Sequence, residues 1–587
     1  MDHPARAMPI QRLNGNDGAN RPRRTRRTYA CDSCSIKKIK CDRATPQCDW
    51  CYHHNIPCTF TRDRDSSRSC LRQTRSDKRT LPEVPFPECG PQAVVPQGFG
   101  TDICLAGQTL GNICAFNGLP FFSPSGLEWI RARTGEDGSL DRYCSMRPIT
   151  WPRLTKKCTE GDRRLSLPDK SLLFEQIEAF QKSVCGQFLP LVNRTCFEYT
   201  IRAAYEKELS DISPGLFSAR VCIFAFMALS SFFAGQPHVD KIVTADEYAR
   251  EAQDLFPEML NESVTLDGLQ ALTMLATSGD MLSIELMLSM ATRFVFHLKG
   301  NVYPEDIEGG TLGAKMHVRN LFWICFTLDK IFSLRTGLQP FIDETNCDLT
   351  LPRMQTVTGP LESLQPFCHQ HNHTMFLTLI RLSLVQSKVY HGLYSFSAQR
   401  QSDADLLATI RSLDIALDEW RSSVPTFSGR PTQNENRMAD FLFEMQYHYC
   451  MAAIHQTSSR CTAWVQNQDT RVAGSSLALS VAASRSVLRK FLETDPQSEG
   501  QFLLFCLPEL STSAIHLFSN ILMSPLEDRS DTDLSLMRVV LEHIGKHIWK
   551  QTPTTFTAQV RLVEEFMGDL YHLAEMAILK ARRESEH

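Results

Sequence analysis

Six of the 21 cysteines of this 587-residue chain fall between Cys31 and Cys58, in "CDSCSIKKIKCDRATPQCDWCYHHNIPC". The spacing is C-x2-C-x6-C written twice, with six residues between the halves. So short a stretch, with so few core-forming residues, does not fold on burial alone. Disulfides need an oxidising compartment, and the polar, Arg-rich first thirty residues have no apolar core of a secretion signal. A metallothionein-like cluster shows C-x-C pairs, which are absent here, and a RING-type site needs eight ligands with wider loops. Two tetrahedral zinc ions also need eight ligand positions, and six thiolates supply them when two bridge both metals. The duplicated spacing makes the bridging sulfurs equivalent members of each half. Cys31, Cys34, Cys41, Cys48, Cys51 and Cys58 are therefore expected to hold two Zn²⁺ ions, which supply most of the folding energy of the segment.

Charge is concentrated around the same stretch. Arg21 to Arg64 carries eleven Lys or Arg against four Asp, a net +7 that leaves −11 for the rest of a chain whose total is −4. A basic head on a mildly acidic body is the footprint of a nucleic-acid binder with a separate large domain. "RPRRTRR" (Arg21 to Arg27) suits both nuclear import and an electrostatic arm along phosphates. The longest apolar run, Val221 to Gly235, is too short to span a bilayer and suits a buried helix, so no membrane is expected. The other fifteen cysteines are scattered singly, as reduced buried thiols are.

The cysteine segment resembles the fungal binuclear zinc-cluster transcription factors, whose pattern is C-x2-C-x6-C, a loop with a proline, then C-x2-C-x6 to 8-C. All six spacings fit, and Pro46 stands in the central loop. The resemblance implies that Cys31 and Cys48 bridge, that Cys34 and Cys41 complete one ion and that Cys51 takes a terminal place. Spacing leaves Cys58 with either ion. It implies further that the end of the first helix enters the DNA major groove, where Lys38 reads the guanine edges of a CGG-type triplet. Guanine offers O6 and N7 there as acceptors. Lys37, Lys40, Arg43, Arg26 and Arg27 are expected on phosphates, which position without specifying sequence. A turn of helix over "SIKKIK" is expected to pack Ile36 and Ile39 on the cluster, with Lys37 and Lys38 pointing away. Ser35 stands where many members have arginine.

Five regions follow: a disordered basic arm (1–27), the cluster domain (28–62), a Pro-rich and basic linker (63–100), an accessory segment (101–165) and a large regulatory domain (166–587). In the linker Leu71, Leu81 and Val84 make no heptad series, and Pro82, Pro85 and Pro87 would break one, so no coiled coil is expected. A monomer and a homodimer through the large domain both stay open. In the accessory segment "SPSGLEWIRART" reads as a capped helix start. Beyond Leu167 apolar residues recur at helical spacing over about 170–184, 243–256, 266–298, 314–334, 374–394, 403–421, 439–457, 474–493 and 533–549, and from Val560 to Ala577. Alternating runs are nearly absent, so this body is expected to be all-α.

Within it, Arg319 to Pro352 resembles the middle homology region of the same family, through Arg319, Phe322-Trp323, Leu328-Asp329-Lys330, Gly337, Pro340, and Asp348 before Leu351-Pro352. Lys330 replaces the usual arginine. The aromatics read as core, and Asp329 with Lys330 as a helix-end ion pair. "CHQHNH" (Cys368 to His373) and the pair His543 and His547 offer metal-ligand chemistry. The latter lacks the glutamate of a zinc protease, Ile544 standing in its place. There is no nucleophile elbow, dinucleotide turn or P-loop, so no enzyme is expected.

Together these observations predict a small metal-stabilised zinc-cluster DNA-binding domain joined by a linker to a large all-α regulatory domain. The expected function is a nuclear activator of RNA polymerase II genes that meets double-stranded DNA and the transcription machinery. By resemblance such proteins control one pathway, here expected to be a secondary-metabolite gene cluster, with nutrient use as the alternative. A zinc-stabilised protein-interaction adaptor without base readout is the competing class.

Overall fold

A computed structural model describes residues 30–37, 39–44, 47–54, 56–60, 102–105, 108–113, 120–136, 165–233, 244–278, 281–352, 366–425, 434–461, 471–494, 506–548 and 554–586. The basic arm, the linker with its prolines, Lys38 and Pro46 lie outside them. Contacts divide the chain into two units, Met1–Val94 and Val95–His587.

In the first unit two single-turn helices, Asp32–Ile36 and Asp49–His53, each begin at a cysteine in extended conformation, Cys31 and Cys48. Their backbone hydrogen bonds repeat with an offset of seventeen residues. The Ser35 N–H donates to Cys31 O as Tyr52 does to Cys48 O, both at 2.9 Å, and Ile39 N–H donates to Cys34 O as Ile56 does to Cys51 O, both at 3.0 Å. The sequence repeat is thus a structural repeat. The first helix ends at Ile36, with Lys37 as its C-cap, so most of "SIKKIK" lies beyond it.

The second unit opens with three antiparallel strands, Asp102–Leu105, Gln108–Ile113 and Pro120–Phe122, paired in sequence order. These were not anticipated, because DICL, QTLGNI and PFF do not alternate apolar with polar residues and so display no period of two. The expected capped helix follows as Pro124–Thr134. Its first turn is closed by the Gly126 N–H on Ser123 Oγ (3.0 Å), and its end by Gly135 at φ 76°, a left-handed position that glycine adopts freely. Phe122, Leu127, Trp129 and Ile130 are buried with residues of the carboxy-terminal helices, and Lys580 Nζ donates to Ala132 O at 2.8 Å. The sheet and helix therefore belong to the same packed unit as the chain's last helix, Thr554–Glu586.

Beyond residue 165 the described residues are helical or irregular, without strands, as the periodicity predicts. They build two cores. The first gathers Phe197, Phe226, Phe322, Trp323 and Phe326 with neighbours from residues 173–461. The second gathers Phe491, Phe518, Val563, Phe566 and Leu570 with neighbours from residues 438–578. The Asn434–Gln456 helix separates them: Met438, Phe441 and Met445 face the second core, while Ala439, Phe443, Tyr447, Cys450 and Ile454 face the first. Each set follows the three-to-four-residue spacing of one helix face. The expected helix at 221–235 is Leu216–Phe233, buried along most of its length, and no described helix is long and apolar enough to cross a membrane.

One buried acid tunes this body. Asp267, in the first turn of the Leu266–Ser278 helix, is fully buried and accepts the Thr200 hydroxyl at 2.6 Å and the Ser213 hydroxyl. Burial lifts its pKa to about 6 against those two donors. The folded value lies above the unfolded one, so the contribution to stability is complete below about pH 4 and is lost as pH rises through 6, to the extent of about 3 kcal/mol. Asp267→Asn is expected to flatten that part of the pH dependence, read by urea unfolding of the full chain through its helical circular dichroism. An unchanged difference between pH 4 and pH 7 would exclude Asp267 as the titrating group.

Candidate metal centre and nucleic-acid interface

Folding of the first unit brings six thiols into two quartets. The sulfurs of Cys31, Cys34, Cys41 and Cys48 lie within 4.8 Å of one another, and so do those of Cys31, Cys48, Cys51 and Cys58. Cys31 and Cys48 are common to both, which also separates Cys34 and Cys41 from Cys51 and Cys58. The sulfurs of Cys31 and Cys48, Cys31 and Cys51, and Cys34 and Cys48 are each 3.7 Å apart. A disulfide needs about 2.05 Å, whereas zinc at about 2.3 Å from each of four sulfurs spaces them by about 3.8 Å. The geometry is that of metal ligands. Among the described residues no other set of three or more His, Cys, Asp or Glu meets that spacing.

Backbone N–H groups support the sulfurs: Cys34 donates to Cys31 Sγ at 3.4 Å, Arg43 to Cys41 Sγ at 3.4 Å and Cys48 to Cys58 Sγ at 3.3 Å. Arg43 reaches its sulfur from a left-handed backbone, φ 61°. Burial works against the Cys31 thiolate, but the Cys34 N–H and the thiols of Cys34, Cys51 and Cys48 bring its pKa below the ordinary value. Burial and the crowding of neighbouring sulfurs push Cys51 up to about 12 and Cys34 higher still. Burial pushes Cys58 up to about 11, although the Cys48 N–H favours its thiolate. Positive charge among the sulfurs, which two divalent ions would supply, favours the thiolates of Cys34, Cys51 and Cys58 that burial opposes. The segment is closed by Asp32 N–H on Thr59 O and Ser33 Oγ on Pro57 O, both at 2.9 Å.

The outward face departs from expectation at one point. Ile39 packs against the sulfurs together with Trp50 and Phe60, but Ile36 does not and is 79% exposed. With its helix ending there, the Ile36 side chain has no second turn to fold against. Lys37, Lys40 and Arg43 are exposed. The Lys37 ammonium lies 4.8 Å from the Trp50 ring centroid, and the same ring stacks on His54 at 4.4 Å. This bridge between the halves was not read from the sequence, since Lys37 and Trp50 belong to different copies of the repeat. Lys38, Arg26 and Arg27 lie outside the described residues.

In the second unit the Arg319–Pro352 residues form a structural clasp. From within the Leu312–Thr336 helix, the Arg319 guanidinium donates to Gly300 O at 3.0 Å and Thr350 O at 3.1 Å, and contacts Asp348, with its carbon 4.7 Å from the Phe322 ring. Asp329 and Lys330 do pair, at 3.2 Å, but fully buried and well before the helix end. Asp329 also accepts the N–H groups of Phe341 (2.8 Å) and Ile342 (3.1 Å), and Lys330 Nζ donates to Ile342 O at 2.7 Å. The pair thereby anchors the chain that follows Gly337, which turns left-handed at φ 70°. Cys368 to His373 start the Pro366–Val389 helix, with side chains outside the described set. His543 and His547 place their rings 4.7 Å apart, with no third ligand among the described residues.

Comparison with known proteins bears on both units. Residues 29–67 match the profile of the fungal Zn(2)-Cys(6) binuclear cluster domain, and residues 177–422 match that of the fungal specific transcription factor domain. An ABC-transporter-regulating transcription factor of Aspergillus oryzae is 21% identical, over 98% of this chain and 76% of that protein. One of the same description from Aspergillus fumigatus is 22% identical, over 80% of this chain and 54% of that protein. The Fusaridione A cluster transcription factor of Fusarium heterosporum is 23% identical, over 75% of this chain and 83% of that protein. These are names of transcription factors and not of enzymes.

Proposed function

Because the chain belongs to the fungal Zn(2)-Cys(6) cluster transcription factors, we propose that it is a nuclear activator of RNA polymerase II genes that reads CGG-type triplets in duplex DNA. One zinc ion is held by Cys31, Cys34, Cys41 and Cys48, the other by Cys31, Cys48, Cys51 and Cys58. The observation that carries this reading is the pair of thiol quartets with two members in common. Lys38 meets the guanine O6 and N7, and Lys37, Lys40, Arg43, Arg26 and Arg27 lie along phosphates. Lys37 does so from an anchored position, because Trp50 fixes its ammonium. The helical unit receives a partner from the transcription machinery or a second copy of the chain.

For the target genes, the names of the two Aspergillus relatives support ABC transporters, and that of the Fusarium relative supports a biosynthetic cluster. Transporter genes are the first class to test, since one of those relatives aligns over 98% of this chain.

Selection from a random duplex pool with the full chain is expected to enrich CGG triplets, with affinity falling steeply as salt rises. Absence of duplex binding at low salt would leave the adaptor reading in its place. Lys38→Ala is expected to cost roughly 1–3 kcal/mol on the selected site and to relax its triplet preference. Equal losses on selected and scrambled duplexes would reduce Lys38 to a phosphate contact.

A further inference from the structure

Ile36 is the most exposed large apolar side chain among the described residues, at 79%. Ile39, Trp50 and Phe60 of the same unit find cover on the sulfurs, whereas Ile36, and Tyr52 at 65% in the other copy of the repeat, do not. It closes the Asp32–Ile36 helix, and exposed Lys37 comes next, its ammonium held over Trp50 at 4.8 Å, with Lys40 exposed three residues on. A branched aliphatic group thus projects beside exposed Lys37, between the cluster cysteines Cys34 and Cys41. An apolar protein groove deep enough to cover Ile36 would also have to desolvate the adjoining ammonium. The major groove of DNA would not, since its phosphates flank the base edges. Among those edges the only apolar group is the C5 methyl of thymine.

Resting on the DNA-binding reading above, we infer that Ile36 packs on a thymine methyl in the major groove, so that the protein selects T at one position beside the triplet met by the lysines. Ser35, a short side chain directly before it, leaves room for that approach.

Uracil substitution isolates the contact, because it deletes the methyl and nothing else. Each thymine of a selected duplex is replaced in turn by uracil, and the full-length zinc-loaded chain is titrated on each duplex. At one position the replacement is expected to weaken binding roughly fourfold, the equivalent of one buried methyl-sized group. Ile36→Ser, a change at a solvent-exposed position, is expected to retain its zinc and salt dependence, to bind the thymine duplex with a similar loss, and to be indifferent to uracil at that position. Two results overturn the inference while DNA binding stands: wild-type chain indifferent to every uracil, or an undiminished uracil penalty in Ile36→Ser, which would assign the side chain to a protein partner. Failure of the wild-type chain to bind any duplex at low salt removes the DNA reading itself.

Discussion

Cys31→Ser is expected to leave fewer than one zinc ion per chain, against two for the unaltered protein and about one for Cys34→Ser. The difference follows from membership in the quartets: Cys31 belongs to both, Cys34 to one. Serine at position 31 takes a thiolate from each ion at once and also removes the sulfur that caps the first helix through the Cys34 N–H. Structural zinc supplies on the order of 10 kcal/mol or more to a site of this kind, so residues 30–60 are expected to unfold and specific DNA affinity to fall by at least about a hundredfold, or some 3 kcal/mol. The helical signal should hardly change, since among the described residues the long helices lie beyond residue 94. Metal analysis of the purified variants, paired with circular dichroism, decides the matter. Equal retention of zinc by Cys31→Ser and Cys34→Ser would show that the sulfurs are not shared.

The second large effect lies between the two cores of the helical unit. Glu509 is fully buried in the Leu507–Met523 helix and accepts Arg335 Nε at 2.8 Å, a second Arg335 nitrogen, and Gln446 Nε2 at 3.0 Å. Gln386 continues the chain through Gln446 Oε1 at 3.1 Å. Three helices therefore meet at one carboxylate, and a fourth joins them through Gln446. Burial opposes the Arg335 charge, but Glu509 outweighs it and holds the guanidinium pKa above its ordinary value. Glu509→Ala leaves that largely buried charge without its partner and is expected to destabilise the helical unit by about 3 kcal/mol. The double variant Arg335→Met, Glu509→Leu removes both charges and is expected to recover most of the loss. Urea unfolding of the full chain, followed through helical dichroism, measures both. A double variant as unstable as the sum of the singles would mean that the two residues act independently.

How much of this was legible depended on periodicity. The last helix announced itself, with Val560, Val563, Phe566, Met567 and Leu570 on one face, and all five are buried. The Leu507–Met523 helix did not, because it is buried on every side except at Asn520 and Met523. Its small polar residues satisfy themselves locally, as Ser511 does on Leu507 O and Thr512 on Pro508 O, both at 3.0 Å, so no polar stripe marks it. The cysteine spacing foretold a duplicated unit, whereas the partition of Cys51 and Cys58 needed three dimensions. Arg319, Asp329 and Lys330 were legible as a group. Their task was not, because the carbonyl and N–H groups that they hold carry no signature in the sequence.

The seventeen-residue repeat of the cysteine unit has one more consequence. Both copies share the same backbone hydrogen bonds around their cysteines, yet their outward side chains differ: Ser35 answers to Tyr52, Lys37 to His54 and Lys40 to Pro57. The shared bonds run through the backbone, so the side chains can diverge between copies without disturbing them. A symmetric skeleton thereby acquires a polarity, with one cationic side and one aromatic side, and Lys37 and His54 meet across it on the Trp50 ring.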